Sequence, residues 1–304
     1  MNYANSVNNN SISGNLALKA KLSDYAQLFK LRLTSLVVFS TLVGYVVSAN
    51  DSSSWWLLLP LLIGGFLTVA SANSLNQVIE RRTDRLMTRT LNRPLATNRM
   101  SLSEALIASV VTGIVGVSLL GYFLNELSAL LAFAGLIIYA FMYTPLKKVN
   151  EVSVWVGAVA GAIPPLVGIA AASGSISAFG WTLFILQFFW QFPHFYAIAW
   201  LLNDDYQKAG LKLMPFGGKK GKSSAWQIMI LSLVLIPCAL IPAYYGVTTW
   251  ISAVLVALAG VYMVSKAGKL FTSLSDPDAK KLMFASFAYL PVILIVYLIE
   301  FLIK

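Results

Sequence analysis

Long apolar runs alternate with short polar ones along almost the whole chain. Nine runs stand out: 33–49, 55–75, 102–124, 127–145, 152–173, 178–200, 225–245, 248–265 and 282–303. A membrane-crossing helix needs about 20 mostly apolar residues. The pattern therefore predicts an all-α, polytopic membrane protein with about nine transmembrane helices. The third and fourth runs are parted only by Asn125–Glu126, and the seventh and eighth by Gly246 and the threonines after it. Proline falls in or near several runs, at 164, 165, 193, 237, 242 and 291, where a helical bundle accommodates it. Composition agrees: 58% of the 304 residues are hydrophobic and 11% are charged, against about 25% charged in a soluble domain.

One stretch breaks the pattern. Residues 71–94, SANSLNQVIERRTDRLMTRTLNRP, continue an apolar run with a dense set of polar side chains. Residues three or four apart are neighbours on a helix, so Asn73, Asn76, Gln77, Glu80 and Asp84 share one face. Oxygen ligands on one face, with arginines interleaved and following, suit a magnesium-bridged phosphate. The alternative is a solvated helix end whose arginines hold lipid phosphates. Against it, Asn73, Asn76 and Gln77 lie at or within the interface, where unpartnered polar groups are costly. Carboxylates also do not serve anionic or zwitterionic headgroups.

Charge then orients the chain. The net charge is +10, but the basic residues are clustered in alternate loops, which speaks against nucleic acid. The N-terminal region and the loops after the second, fourth, sixth and eighth runs carry 21 of the 22 lysines and arginines, and only Lys304 lies outside them. By the positive-inside rule the N terminus is cytoplasmic and the C terminus is on the opposite side. The segment before the first run, NLALKAKLSDYAQLFKLR, reads as a short amphipathic surface helix that Ser23 can cap. Residues 1–24 are expected to be a disordered or interfacial tail, without a signal peptide, ahead of a membrane-embedded domain at 25–304. Cys238, the single cysteine, sits in an apolar run and reads as a small buried hydrophobe. FGGKKGKS at 216–223 ends like a phosphate loop, but Phe216 stands where the pattern needs glycine and no strand surrounds it.

Two further groups of polar residues face the same side. His194, Asn203, Asp204, Asp205 and Tyr206 follow the sixth run, and five of the twelve acidic residues (Glu80, Asp84, Glu151, Asp204, Asp205) lie in or beside three successive cytoplasmic loops. Two carboxylate groups facing each other across a bundle mouth would hold paired Mg²⁺ around a diphosphate; a solvated helix terminus is the plainer reading of Asp204–Asp205. Tyr143, Thr144, Lys147 and Lys148 end the fourth run, with the tyrosine and Lys147 on one helical face or serving as an interfacial anchor. His194, the only histidine, reads as a packed residue, a haem-iron ligand or an acid–base group.

Taken together, these residues resemble the UbiA-type prenyltransferases and, within them, the protohaem IX farnesyltransferase branch. The family's N-x-x-x-D-x-x-x-D motif appears as Asn76-x-x-x-Glu80-x-x-x-Asp84, with glutamate carrying its carboxylate one methylene further out. Met87-x-Arg89-Thr90-x-Asn92-Arg93-Pro94-Leu95, WQFPHFYAIAW with Asp205-Tyr206, Tyr143-Thr144-Pro145-Leu146-Lys147 and GAVAGAIPPLVG at 157–168 also match, while Lys30-Leu31-Arg32 departs from the usual Lys-Pro-Arg. The resemblance runs from about residue 25 to about residue 300. It implies a nine-helix bundle with a cytoplasmic mouth in a bacterial-type inner membrane. It further implies Mg²⁺ dependence, farnesyl diphosphate as donor and haem B as acceptor, with a haem A synthase or terminal oxidase assembly as partner. Asn76, Glu80, Asp84 and Asp205 would hold the metal. Arg85, Arg89, Arg93 and Lys147 would hold the diphosphate, Tyr143 and Lys147 would join the catalytic set, and His194 would contact the haem. A related enzyme with a quinone-ring or chlorophyll-type acceptor is the alternative within the family. A transporter is the alternative outside it, although transporters place such groups near the midplane.

Overall fold

The computed structural model describes residues 18–50 and 53–303, which contain helices and turns and no strand. In chain order the helices are α1 (Leu18–Leu28), α2 (Leu31–Val46), α3 (Leu58–Asp84), α4 (Leu102–Phe123), α5 (Glu126–Ile137), α6 (Ser153–Ser173), α7 (Ala178–Leu201), α8 (Asn203–Lys208), α9 (Lys222–Tyr244), α10 (Trp250–Ser273) and α11 (Asp276–Leu302). Each of the nine apolar runs lies largely within one of the longer helices. By length and composition, seven among the described residues can cross a membrane, or eight if α1 and α2 form one bent span. The segment that falls outside this count is α7, whose apolar sequence is interrupted by Gln187, Gln191 and His194.

Local chemistry sets the boundaries. Ser101, Asn125, Ser177, Thr249 and Ser275 each accept a hydrogen bond from a first-turn backbone N–H, satisfying donors that a helix start leaves orphaned. Asn125 thereby parts α4 from α5. Gly246, with φ 70°, turns the chain between α9 and α10, a conformation that costs glycine nothing.

Two helix pairs pack through small residues. A Cβ at Gly44 would strike the Pro165 carbonyl, and one at Gly168 the Thr41 carbonyl, so α2 and α6 approach backbone to backbone, as membrane helices do where small residues meet. The α3–α4 contact adds a hydroxyl bond from Ser71 to the Ser109 carbonyl at 2.7 Å. The central element is α6, with 78% of its most apolar window buried inside the protein. Around it, α7, α9, α10 and α11 share one apolar core that includes Phe192, Tyr196, Trp200, Ile228, Leu235 and Met263. Cys238 lies buried in this core. The outward faces carry Leu59, Ile107, Ile114, Leu130, Ile251 and Leu258 exposed, the inside-out surface that lipid accepts and water does not.

The start of the chain departs from expectation. Ser23 lies inside α1 and accepts from Gln27, so it is not a cap. Residues 18–24 are helical, and they are tied down: Lys21 pairs with Glu104 at 2.7 Å and Asp24 with Arg99 at 2.9 Å. The short helix expected ahead of the first run is thus present at Leu18–Leu28; residues 1–17 lie outside the described residues. Leu28 is buried with Val78, Leu95 and Met100, which anchors α1 beneath the loop after α3. Lys220 of the glycine- and lysine-rich loop pairs with Asp276 at 2.9 Å.

Candidate active site

Helix α3 continues without a break from its apolar half into its polar end, so the five polar side chains share a face as the spacing requires. The structure then divides them by role. Gln77 donates to the carbonyls of Gln27 and Leu28 at 2.9 and 2.7 Å. These are end groups of α1; the Gln27 carbonyl also accepts from the Lys30 backbone N–H at 3.2 Å, while helix-end carbonyls such as that of Leu28 have no partner within the helix, so Gln77 braces the 50° bend between α1 and α2. Asn73 donates to Thr34 on α2 at 3.1 Å. Both are structural ties.

Asn76, Glu80 and Asp84 are different: they meet cations. All three are nearly fully buried, at 2%, 4% and 1% exposure. Lys30, in the bend, donates to Asn76 Oδ1 at 3.0 Å. Asn76 in turn donates to Glu80 at 2.9 Å and to Thr144 at 3.1 Å. Glu80 pairs with Lys147 at 2.6 Å, and Arg93 reaches both Asp84 oxygens at 2.9 and 2.8 Å. A buried carboxylate is tolerable only when paired and hydrogen-bonded, and each of these is. On formal charge, three cations surround two carboxylates, a surplus that suits an incoming anion.

Lys147 reaches Glu80 because of the end of the fourth apolar run. Pro145 lacks an N–H, and its ring would clash with the carbonyl four residues back. The chain answers with a wider π-helical turn over Ile138–Tyr143, a feature that often marks functional sites. Thr144 bonds back to the Tyr139 carbonyl at 2.8 Å. Lys147 then lies over the Tyr143 ring, 4.6 Å from its centroid. The shared face expected of these two residues is thus observed.

Asp205 sits at the start of the short helix α8 and accepts from the Thr88 hydroxyl at 3.0 Å and the Arg89 backbone at 3.3 Å. Burial pushes its carboxyl up, but these hydrogen bonds outweigh burial and hold it below the ordinary aspartate range. It clasps the loop after α3 onto α8, while Asp204 beside it is exposed. Arg85 turns outward to Asn98 at 2.6 Å and is not part of the ion-pair cluster. Among the described residues, no three His, Cys, Asp or Glu side chains are grouped as a metal site. On α3, Glu80 and Asp84 face Lys147 and Arg93, while Asp205 faces Thr88 and Arg89 from α8.

Beside the cluster lies a cavity of about 450 Å³, within the usual range for small-molecule sites. Asn73, Tyr139 and Tyr143, the last under Lys147, line it, and Leu33, Leu36, Val37, Ile163, Leu290 and Leu294 are among its apolar walls. Gln187, Gln191 and His194 on α7 also line it. Gln187 donates to the Gly161 carbonyl at 2.7 Å, the group that Pro165 leaves without its helical partner. Gln191 donates to the Ala158 carbonyl at 2.9 Å, and a Cβ at Gly161 would collide with its Oε1. His194 stacks on Trp190, with ring centroids 4.8 Å apart, and lies edge-on to Phe287. Its Nδ1 is 2.8 Å from the Ser286 hydroxyl.

Sequence reasoning missed Lys30, Gln187, Gln191 and Ser286. Lys30 was visible as a lysine at the edge of a span, but only folding carries it 46 residues along the chain to Asn76. The glutamines had a signal, since polar side chains in an apolar run need partners.

Residues 37–289 match the family model for the UbiA prenyltransferase family. A protein from Flavobacterium johnsoniae named protoheme IX farnesyltransferase is 40% identical over 297 residues, covering 96% of this chain and 98% of that one. The structure of digeranylgeranylglyceryl phosphate synthase superposes with a TM-score of 0.78 at 17% identity, covering 94% of this chain and 100% of that one. A UbiA homologue from Archaeoglobus fulgidus, bound to DMAPP and Mg²⁺, superposes at 0.69 with 17% identity, covering 90% and 99%. These likenesses in structure are likenesses of fold. With the family match running through α2 to α11 and relatives aligned end to end, the chain belongs to the UbiA prenyltransferase family.

Proposed function

We propose that this prenyltransferase moves the farnesyl group of farnesyl diphosphate onto the 2-vinyl group of haem B, giving haem O. One observation carries the reading: a buried cluster of cations and carboxylates borders an apolar cavity through Tyr143, which lines the cavity and lies under Lys147, and a histidine lines the same cavity. The name borne by the full-length relatives supports the same donor and acceptor.

Asn76, Glu80 and Asp84 offer hard oxygen donors on successive turns of α3, which fit Mg²⁺; Asp205 would join them from α8. Mg²⁺ bound there would neutralise charge on the leaving diphosphate. Lys147, Arg89 and Arg93 would hold the diphosphate, aided by Lys30, and its negative charge would relieve the crowding of Lys30, Lys147 and Arg93. Such preorganised cations act where charge develops as the bond breaks. Tyr143 packs under Lys147 and fixes its approach. The farnesyl chain lies along the apolar walls, which exclude water from the allylic cation until it is captured. The bond from farnesyl to diphosphate oxygen breaks, the terminal vinyl carbon bonds to farnesyl, and water adds at the carbon beside the porphyrin with loss of a proton. His194 contacts the haem iron.

The basic loops support a cytoplasmic N terminus and cluster, and the reading sets the chain in a bacterial-type inner membrane with a haem A synthase or terminal oxidase assembly as the receiver of product. The test is incubation of the purified protein with haem B, farnesyl diphosphate and Mg²⁺, followed by product mass. A haem heavier by one farnesyl group and one hydroxyl group is expected. Unaltered haem, with a quinone-type ring prenylated instead, overturns the acceptor.

A further inference from the structure

His194 lies against one face of its cavity with a single hydrogen bond fixing its ring. Its partner, Ser286 on α11, is fully buried. The Ser286 hydroxyl stands 2.6 Å from the Met283 carbonyl and 2.8 Å from His194 Nδ1, and it has one proton to give. A carbonyl oxygen can only accept. If the proton pointed at His194, two oxygen lone pairs would face each other at the shorter of the two distances, which is repulsive. The proton therefore goes to Met283, and the Ser286 oxygen is left as an acceptor for His194. Trp190, which stacks on the imidazole, donates its indole N–H to the Ser286 backbone carbonyl at 2.8 Å. The ring and the serine are thus held by the same tryptophan.

We infer that Ser286 is a positioning residue that places the His194 proton on Nδ1 and leaves Nε2 as a bare lone pair at the cavity. A neutral imidazole serves a metal through the nitrogen without the proton, and which nitrogen that is depends on the bond the other makes. The inference deepens the haem reading, on which its use of the lone pair rests, and it names a group that α7 alone does not supply.

His194 is the only histidine in the chain, so a histidine-¹⁵N-labelled protein purified through a histidine-free tag gives one imidazole signal pair. In lipid nanodiscs, wild type should show a protonated-type Nδ1 and an unprotonated-type Nε2. Ser286→Ala should move the proton wholly or partly to Nε2, and Ser286→Thr, which keeps the hydroxyl, should restore the wild-type pair. A wild-type proton on Nε2, or an unchanged pair in Ser286→Ala, overturns the inference. The absorption spectrum of added haem separates this from the reading beneath it. If His194→Ala changes the Soret band, Ser286→Ala should change it in the same direction. If His194→Ala leaves the band alone while the nitrogen signals behave as stated, the iron contact fails and the placement of the proton by Ser286 stands.

Discussion

In the ion-pair cluster, Asn76, Glu80 and Asp84 stand on successive turns of one helix and meet Lys30, Lys147 and Arg93 from three other segments. At the histidine, one neutral ring meets one hydroxyl from a helix 92 residues away. The first region is charged, buried and mutually compensating, so every member is costly to remove alone. The second is neutral and apolar, and it depends on where a single proton sits. A prenyl transfer needs both: a place for diphosphate charge and a dry chamber for a cation.

Breaking the charge balance should have the largest effect. Lys147→Met leaves Glu80 buried without its cation and should cost about 3–5 kcal/mol of stability, the usual penalty for an orphaned buried charge. Thermal unfolding in detergent reads this, and adding Glu80→Gln should recover most of the loss. If the single variant melts like wild type, the pair is not the compensated unit described above.

Next comes the chemistry. Asp84→Asn should lower turnover by about 10²–10³-fold, the scale of losing one preorganised electrostatic contribution, while the protein still inserts in the membrane. Normal turnover would remove Asp84 from the site.

A smaller effect sharpens the division within α3. Gln77→Ala should cost about 1–3 kcal/mol of stability, because the Leu28 carbonyl loses its donor and the Gln27 carbonyl keeps only the Lys30 N–H, with little change in turnover per folded molecule. Asn76→Ala should also cost stability, since Lys30, Glu80 and Thr144 lose their partner, but it should lower turnover per folded molecule as well, and the two measured side by side test whether one helical face holds two roles.

The smallest effect is expected at Arg85. Its guanidinium bonds exposed Asn98, so Arg85→Ala should stay within about 0.5 kcal/mol in stability, as surface changes do, and turnover should hardly move. A large loss of activity would restore Arg85 to the diphosphate site.

Much of this architecture was legible along the chain, for definite reasons. A lipid environment demands long apolar helices, so the runs announced themselves. Helical periodicity put Asn76, Glu80 and Asp84 on one face, and α3 keeps them there. The same periodicity also collected Asn73 and Gln77, whose partners on α1 and α2 no spacing rule reveals. Arg85 and Arg93 looked alike in a row of arginines; only the turn after α3 sends one to Asn98 and the other to Asp84.

The sequence by itself determined the helical class, the membrane setting, the shared face of α3 and the family resemblance, because each depends on local composition and spacing. The tertiary structure decided which polar residues brace the bend, which meet cations, that Asp205 clasps the Thr88–Arg89 loop, and that Ser286 holds His194. Those outcomes depend on contacts between distant segments. In a buried setting each polar atom must find a partner, and only the packed bundle decides which one is within reach.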